Sequence, residues 1–140
     1  MSFKEKITWL TLATMVVTYG VYFTLVARMG PAAPLISIAA LFAVVTAAQV
    51  VVIVIGTVAI TVTAQREAKA PADERDLAIA RRASSGAYYA LVTGMIVVGI
   101  VMPSNKNPAE IIHTALLALV IAEVMRHAMM VISYRRGWHG

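Results

Sequence analysis

The sequence predicts an all-α membrane protein whose four transmembrane helices form a bundle with both termini in the cytoplasm. Three observations predict it: four long apolar stretches, turn residues between them, and an uneven distribution of lysine and arginine. Hydrophobic residues make up 60% of the 140-residue chain and charged residues 14%, whereas soluble proteins are about 45–50% apolar and about 25% charged. We therefore expect residues 1–140 to form a single integral membrane domain.

The composition also excludes several classes of function. The chain has no cysteine, so disulfides, thiolate metal sites and thiol catalysis are excluded. The net charge of +5 is explained by basic residues at the ends of the apolar stretches, so we predict no nucleic-acid partner. Ser-His-Asp catalysis and glycine-rich phosphate loops find no support, and we do not expect an enzyme.

The first span is predicted over residues 7–27, which carry no formal charge. At ~1.5 Å per residue, this length just crosses a hydrocarbon core of ~30 Å. The stretch is longer than the apolar region of a signal peptide and no cleavage motif follows it, so we expect it to be retained. A polar stripe predicts a face that packs on other helices or, alternatively, lines a polar path: Thr8, Thr11, Thr18 and Tyr22.

The second span is predicted over residues 35–64, after a turn with one glycine and two prolines. As a helix of about 45 Å it exceeds the hydrocarbon core, so it must tilt or project. Gln49 is the one strongly polar residue inside it. An amide at that depth should face protein, where it makes an interhelical hydrogen bond or, alternatively, contacts a substrate.

Residues 65–83 form the only substantial polar segment, and we predict a cytoplasmic hairpin there. Pro71 interrupts the chain, and Asp73 then occupies the position of an N-cap, with Asp76 three residues later as in a capping box. No acid here has a basic residue four positions later, so the carboxylates should be free for solvent or a partner. The candidate contacts with a partner or with lipid are Asp73, Glu74, Arg75, Asp76, Arg81 and Arg82.

The start of this segment also resembles a known family. The sequence Asp73-Glu74-Arg75-Asp76 is followed by Ile79 and by the pair Arg82-Ala83. It resembles an uncharacterised family of small prokaryotic multi-span proteins with an Asp-Glu-Arg signature, an isoleucine and a Lys-Ala pair before a membrane helix. Arginine stands here in place of the lysine. The resemblance implies a four-helix membrane protein and transfers no activity.

The third span is predicted over residues 84–102, before a turn at 103–108 with a proline at each end. Tyr88 and Tyr89 are predicted to lie near the membrane edge, where aromatic side chains concentrate. Small residues at four-residue spacing form a ridge that lets another helix approach closely. We expect a second copy or another membrane protein to pack on this ridge, which consists of Gly86, Ala90 and Gly94.

Basic residues are concentrated on one side of the predicted spans. That side carries Lys4, Lys6, Arg66, Lys69, Arg75, Arg81, Arg82, Arg135 and Arg136, and the other side only Arg28 and Lys106. The positive-inside rule therefore predicts an inner-membrane protein with cytoplasmic termini. The arginines beside the spans suit the anionic headgroups of the bilayer, and Tyr134 and Trp138 form an aromatic anchor at the C-terminal end.

The fourth span, residues 110–133, carries Glu123, Arg126 and His127 near its middle. A charge at the bilayer centre costs at least ~2.5–3.5 kcal/mol and usually faces a bundle interior or an aqueous cavity. One interpretation is a buried ion pair that fixes helix register, covered by the threonine face of the first span and by Gln49. The other is a proton or ion relay through Glu123 and His127, with His113 on the same stripe.

Two cofactor hypotheses start from the histidines of this span. Glu110 and His113 have the spacing of a di-iron ligand pair, but such sites need acids on other helices, and the first three spans have none. His113 and His127 are fourteen residues apart, a spacing that resembles that of the haem ligands in membrane cytochromes b. A homodimer would have to supply the second ligand pair. We predict no cofactor, with b-type haem as a lesser alternative.

The sequence leaves two functions of different kinds. An accessory, scaffold or assembly subunit would contact other chains through its helix faces and its cytoplasmic hairpin. A small proton- or ion-coupled transporter or channel would use the Glu123 cluster. We favour the first, because the first three spans offer hydroxyls and one amide rather than a continuous ionisable path. We expect a homo-oligomer or a member of a larger membrane complex.

Overall fold

The computed structural model describes residues 2–30, 32–65 and 73–136. Over these residues the chain is helical and contains no strand. Each of the four main helices is long and apolar enough to cross a membrane. For the third helix, this length includes the helical turns that follow it as far as Ser104. They are α1 (Phe3–Met29), α2 (Leu35–Thr63), α3 (Glu74–Ile96) and α4 (Pro108–Arg135). The predicted all-α fold with four transmembrane helices is confirmed.

Capping residues define where α3 and α4 begin. Asp73 caps α3, and the capping box that pairs it with Asp76 is present as predicted. Asn107 caps α4, because its Oδ1 accepts a hydrogen bond from the backbone N–H of Glu110 at 2.9 Å. Pro108 is then the first helical residue, a position that suits a residue without an N–H.

The third helical segment continues beyond Ile96. A π-helical turn, Val97–Val101, leads into a short 3₁₀ turn, Met102–Ser104. Pro103 has no N–H to donate and its ring opposes the carbonyl four residues earlier, so a regular α-helix cannot run through it. The segment therefore runs from residue 74 to residue 104, and it begins well before the span predicted at 84–102.

In the bundle, α1 and α4 are the central helices. α3 packs along α4, α1 packs against α2 on one side and α4 on the other, and α2 meets α4 only over a short stretch. α1 and α4 run antiparallel: Thr8 shares a crevice with Tyr134 at one end, and Tyr22 contacts His113 towards the other. We call the end where α1 begins and α4 ends the basic end.

The core between α1, α2 and α4 is aromatic at its centre. Tyr22 is fully buried, and its ring packs edge-on against Phe23 and Phe42 with centroids 4.9 and 5.3 Å apart. Within the part of the chain that the structure describes, its hydroxyl has no hydrogen-bond partner. The remaining residues of this core are Met15, Tyr19, Val26, Ile38 and Val120.

The outer surface of the helices is apolar. Along α2, large aliphatic side chains are more than half exposed, namely Val44, Val51, Ile55, Val58 and Val62. A continuous apolar surface of this kind would be unusual on a monomeric soluble protein. It is what a helix facing lipid tails requires.

Part of the predicted hairpin at 65–83 lies outside the described residues. Arg66, Lys69 and Pro71, like Trp138 near the C-terminus, contributed to the predicted topology and are among the residues not described. Residues 74–83 belong to α3.

Candidate functional site

The candidate site is the group of three ionisable side chains in the middle of α4, Glu123, Arg126 and His127. Their spacing of three and four residues places them on adjacent turns. Arg126 Nη1 lies 3.7 Å from Glu123 Oε2, and His127 Nδ1 lies 3.8 Å from the same oxygen. The shorter contact of His127 Nδ1 is to the backbone oxygen of Glu123, at 2.9 Å. The ion pair within the chain is therefore long.

The three side chains differ in exposure. The His127 side chain is 15% exposed, whereas Glu123 and Arg126 are 43% and 39% exposed. The expectation that α1 and α2 bury the whole cluster is therefore wrong for the two charged side chains. The cause is the helix arrangement, because α1 packs near Val120 and α3 packs against Ala118. Glu123 and Arg126 lie on the side of α4 between these two contacts.

The cluster lies deep in the predicted membrane. Glu123 is fifteen residues from Pro108 and twelve from Arg135, or about 18–23 Å from either end of α4. Arg126 Nε is buried and has no hydrogen-bond partner among the described residues, although a guanidinium has five N–H donors to satisfy. A charge exposed to lipid at this depth costs at least ~2.5–3.5 kcal/mol. One chain alone therefore leaves this ion pair incompletely satisfied.

The side-chain oxygen of Gln49 accepts no hydrogen bond from the Glu123 cluster among the described residues. Gln49 is buried on α2, with 6% of the residue exposed, as predicted for an amide that faces protein. Its Oε1 has no hydrogen-bond partner among the described residues, so this oxygen does not make the interhelical hydrogen bond that we expected. The polar contact between α1 and α2 is instead a pair of hydroxyls, with Tyr19 Oη and Thr46 Oγ1 3.4 Å apart.

The threonines of α1 are satisfied within their own helix. The hydroxyls of Thr8 and Thr11 donate to the carbonyls of Lys4 and Ile7, at 2.8 and 3.0 Å. Thr8 is also buried. Hydroxyls bonded in this way need neither water nor cargo, so the stripe behaves as a packing face.

A second polar cluster at the basic end joins three helices. Lys4 Nζ on α1 lies 2.7 Å from Asp76 Oδ2 on α3, and the Tyr134 hydroxyl on α4 donates to Asp76 Oδ1 at 3.0 Å. Arg75 Nη2 reaches the backbone oxygen of Tyr134 at 3.5 Å. We call Lys4, Asp76 and Tyr134 the three-helix contact.

The three-helix contact corrects one prediction. We expected the acids at 73–76 to be free, because none has a basic residue one turn later on its own helix. Asp73 and Glu74 are exposed, but Asp76 is bound to residues far away in the sequence. The sequence did contain an indication of this contact, because the predicted topology places Lys4 and Tyr134 on the same side of the membrane as Asp76.

The small-residue ridge of α3 is occupied within the chain. A Cβ added at Gly94 would lie 2.5 Å from the Cβ of Ala118, and one added at Gly86 would lie 2.7 Å from Met129 Sδ. Ala90 is partly buried on the same segment. The ridge is a helix-packing face as predicted, but α4 of the same chain fills it, so it does not offer a surface to a partner.

Tyr88 and Tyr89 lie midway along the helical segment 74–104, level with the Glu123 cluster. Gly86 is beside Met125 and Met129, and Gly94 is beside Ala118, which fixes this level. Both tyrosine side chains are exposed, at 63% and 67%. Their predicted position near the membrane edge follows from a span that begins at residue 84, and it stays a prediction.

The opposite end of the bundle holds Glu110 and His113. Glu110 pairs with Lys106 at 3.2 Å and accepts a hydrogen bond from Asn107 Nδ2 at 2.9 Å. The His113 ring packs edge-on against Phe23, with centroids 5.2 Å apart. Its Nδ1 is buried and has no hydrogen-bond partner in the described ranges. Glu110 and His113 both line a cavity of about 270 Å³.

Over the described ranges, no three His, Asp or Glu side chains cluster as metal ligands would.

Arginines at the basic end border an open cleft between α3 and α4. The cleft has a volume of about 480 Å³ and is lined by Arg82, Arg136 and Ser133 above an apolar floor of Met129 and Ile132. Arg81 is exposed on the next position of α3. This end presents basic groups as predicted.

No family model, curated protein or solved structure matches this chain. Its function is therefore inferred from its own geometry.

Proposed function

We propose that this chain is a small multi-pass protein of the inner membrane, with cytoplasmic termini, that acts as an accessory, scaffold or assembly subunit through helix–helix contacts. The observation that carries the proposal is the three-helix contact. In it, Lys4, Asp76 and Tyr134 hold α1, α3 and α4 together with ionic and hydrogen-bonding groups. Charged groups used in this way fix the arrangement of helices and leave a rigid surface for other proteins.

The polar residues inside the bundle support the same function. Among the described residues, the buried polar side chains are Thr8 and Gln49. A path for protons or ions needs a series of ionisable or hydrated groups across the membrane. Glu123 lies at the side of the bundle, and its 43% exposed side chain does not line an enclosed route within one chain.

The exposed charges at the basic end suit contacts outside the chain. Asp73, Glu74 and Arg81 are exposed at or near the start of α3. Carboxylates at a helix N-terminus are favourably placed for the helix dipole and can still accept hydrogen bonds from a partner. Basic side chains near the predicted membrane surface attract anionic headgroups.

A proton- or ion-coupled transporter is the second candidate, because Glu123 and His127 are 3.8 Å apart at mid-depth. In that function, Glu123 would exchange protons with His127. A b-type haem between two copies has less support. The His127 side chain is mostly covered by its own chain, and a haem at His113 would displace its contact with Phe23.

Affinity purification in mild detergent, followed by mass spectrometry, tests the scaffold function. The wild type should recover a stoichiometric membrane partner. The double variant Asp73→Asn/Glu74→Gln removes two exposed charges while keeping a side chain that caps the helix, and it should recover less of that partner. The matched control, Arg28→Gln/Lys106→Gln, removes two exposed charges at the opposite end and should recover as much as the wild type.

Two results would count against this function. The absence of any stoichiometric partner would contradict a scaffold or assembly role. Equal recovery by the two double variants would contradict docking through the acids at the start of α3.

A further inference from the structure

We propose that two copies of this chain associate in parallel through one side of α4, with Glu123 of each copy paired to Arg126 of the other. The inference goes beyond the proposed function and does not rest on it, since a chain that recruits no other protein can still pair with itself.

A heptad pattern marks the contact surface on α4. Residues at alternating steps of four and three along α4 are mostly apolar, and Glu123 and Arg126 occupy two of these positions. This spacing is that of the seam of a parallel coiled coil. Ile112 and Leu119 are 36% and 41% exposed. Leu116 also packs on α1, and Met130 also lines the crevice that holds Thr8 and Asp76. The α4 seam consists of Ile112, Leu116, Leu119, Glu123, Arg126, Met130 and Ser133.

Twofold symmetry would place the acid of each α4 seam next to the base of the other. In a parallel dimer, residues at equal depth face each other, and the same patch of each copy forms the interface. Arg126 lies three residues from Glu123, or about 4.5 Å along the helix axis. Each carboxylate can therefore reach the guanidinium of the other copy diagonally, and the interface contains two acids and two bases.

The dimer would also satisfy groups that one chain leaves unsatisfied. Within the chain the Glu123–Arg126 distance is 3.7 Å, and the Arg126 side chain is 39% exposed. A second carboxylate offers further acceptors to the exposed N–H groups of the guanidinium. A polar pair at one level of a heptad seam also fixes the register of the paired helices and the number of helices that associate.

A second copy explains this surface better than lipid does. Lipid tails offer no hydrogen-bond acceptors or charges. Arg126 is nine residues from Arg135, where α4 ends, and about 14 Å of helix is farther than an arginine side chain extends. A protein surface that carries acceptors therefore suits the arginine better than lipid tails do.

Cysteine cross-linking tests the α4 seam directly, because the chain has no native cysteine. Leu119 and Leu117 form a matched pair, since both are leucines on α4 with 41% and 37% exposure. Two residues apart on a helix, they face opposite sides. In native membranes treated with a membrane-permeant oxidant, Leu119→Cys should shift to twice the chain mass and Leu117→Cys should stay at the monomer mass. Equal cross-linking of the two, or none, would overturn the proposal.

Charge reversal gives a second test. Arg126→Glu leaves only acids at the pair and Glu123→Arg leaves only bases, so neither variant should pair with itself. When the two are co-expressed with different tags, each should recover the other at least roughly tenfold more than it recovers itself. No preference for the mixed pair would overturn reciprocal pairing. The cysteine test leaves the charges intact, so it decides the question if the reversed chains do not fold.

Discussion

Asp76 is the residue whose replacement most directly probes how the helices are held together. Its carboxylate accepts from the Tyr134 hydroxyl at 3.0 Å, pairs with Lys4 at 2.7 Å and accepts from the backbone N–H of Asp73 at 3.3 Å. Asp76→Ala removes all three interactions. The effect should be larger than that of any exposed acid on the same turn.

The magnitude follows from the exposure and the partners. The side chains of Lys4 and Asp76 are 34% and 21% exposed, so their partly screened ion pair contributes about 0.2–1 kcal/mol. The hydrogen bond from Tyr134 to a charged acceptor contributes about 1.5–3 kcal/mol. We expect Asp76→Ala to lower the free energy of unfolding by about 2–4 kcal/mol in total, which corresponds to a fall in Tm of roughly 5–15 °C for a chain of this size.

Thermal unfolding in mild detergent, followed by far-UV circular dichroism, measures this effect. Glu74→Ala is the control, because Glu74 is an exposed acid in the same helical turn, and it should cost less than about 1 kcal/mol. Equal Tm values for Asp76→Ala and Glu74→Ala would refute the three-helix contact.

Two further predictions use the same melts. Gly94→Ala places a methyl group 2.5 Å from the Cβ of Ala118, so it should lower the free energy of unfolding by about 1–3 kcal/mol. In the control Gly99→Ala, the added methyl group meets nothing within 4 Å, so the stability should stay the same or rise. Equal stability of the two variants would contradict the close packing of α3 on α4. Tyr22→Phe removes a buried hydroxyl that has no hydrogen-bond partner among the described residues, so the free energy of unfolding should stay the same or rise slightly. A loss above ~1 kcal/mol would mean that this hydroxyl is hydrogen-bonded.

The helices themselves were predictable because their signals are local. Four uncharged or nearly uncharged stretches of sufficient length fix four spans, and the capping box at Asp73 and Asp76 depends on residues three positions apart. The boundary of α3 was less predictable. Arg81 and Arg82 ended the predicted span, although a helix passes through charged residues without interruption when they lie near the membrane surface.

The partners of each helix face could not be read from the sequence. Helices in lipid carry apolar residues on every side, so hydropathy does not show which face turns inward. The ridge at Gly86 and Gly94 indicated a close helix contact but not that α4 makes it. The contact of Lys4 with Asp76 spans 72 residues, and no local rule detects it. The exposure of Glu123 likewise depends on α1 and α3 lying on opposite sides of α4.

Proton flux into proteoliposomes tests most directly whether this chain is a structural subunit rather than a transporter. Purified wild type and Glu123→Gln would be reconstituted at equal density, and the internal pH followed with a trapped dye after a step in external pH. We expect no flux above that of empty vesicles and no difference between the two proteins. A wild-type flux that Glu123→Gln abolishes would contradict the scaffold function and assign transport to the Glu123 cluster.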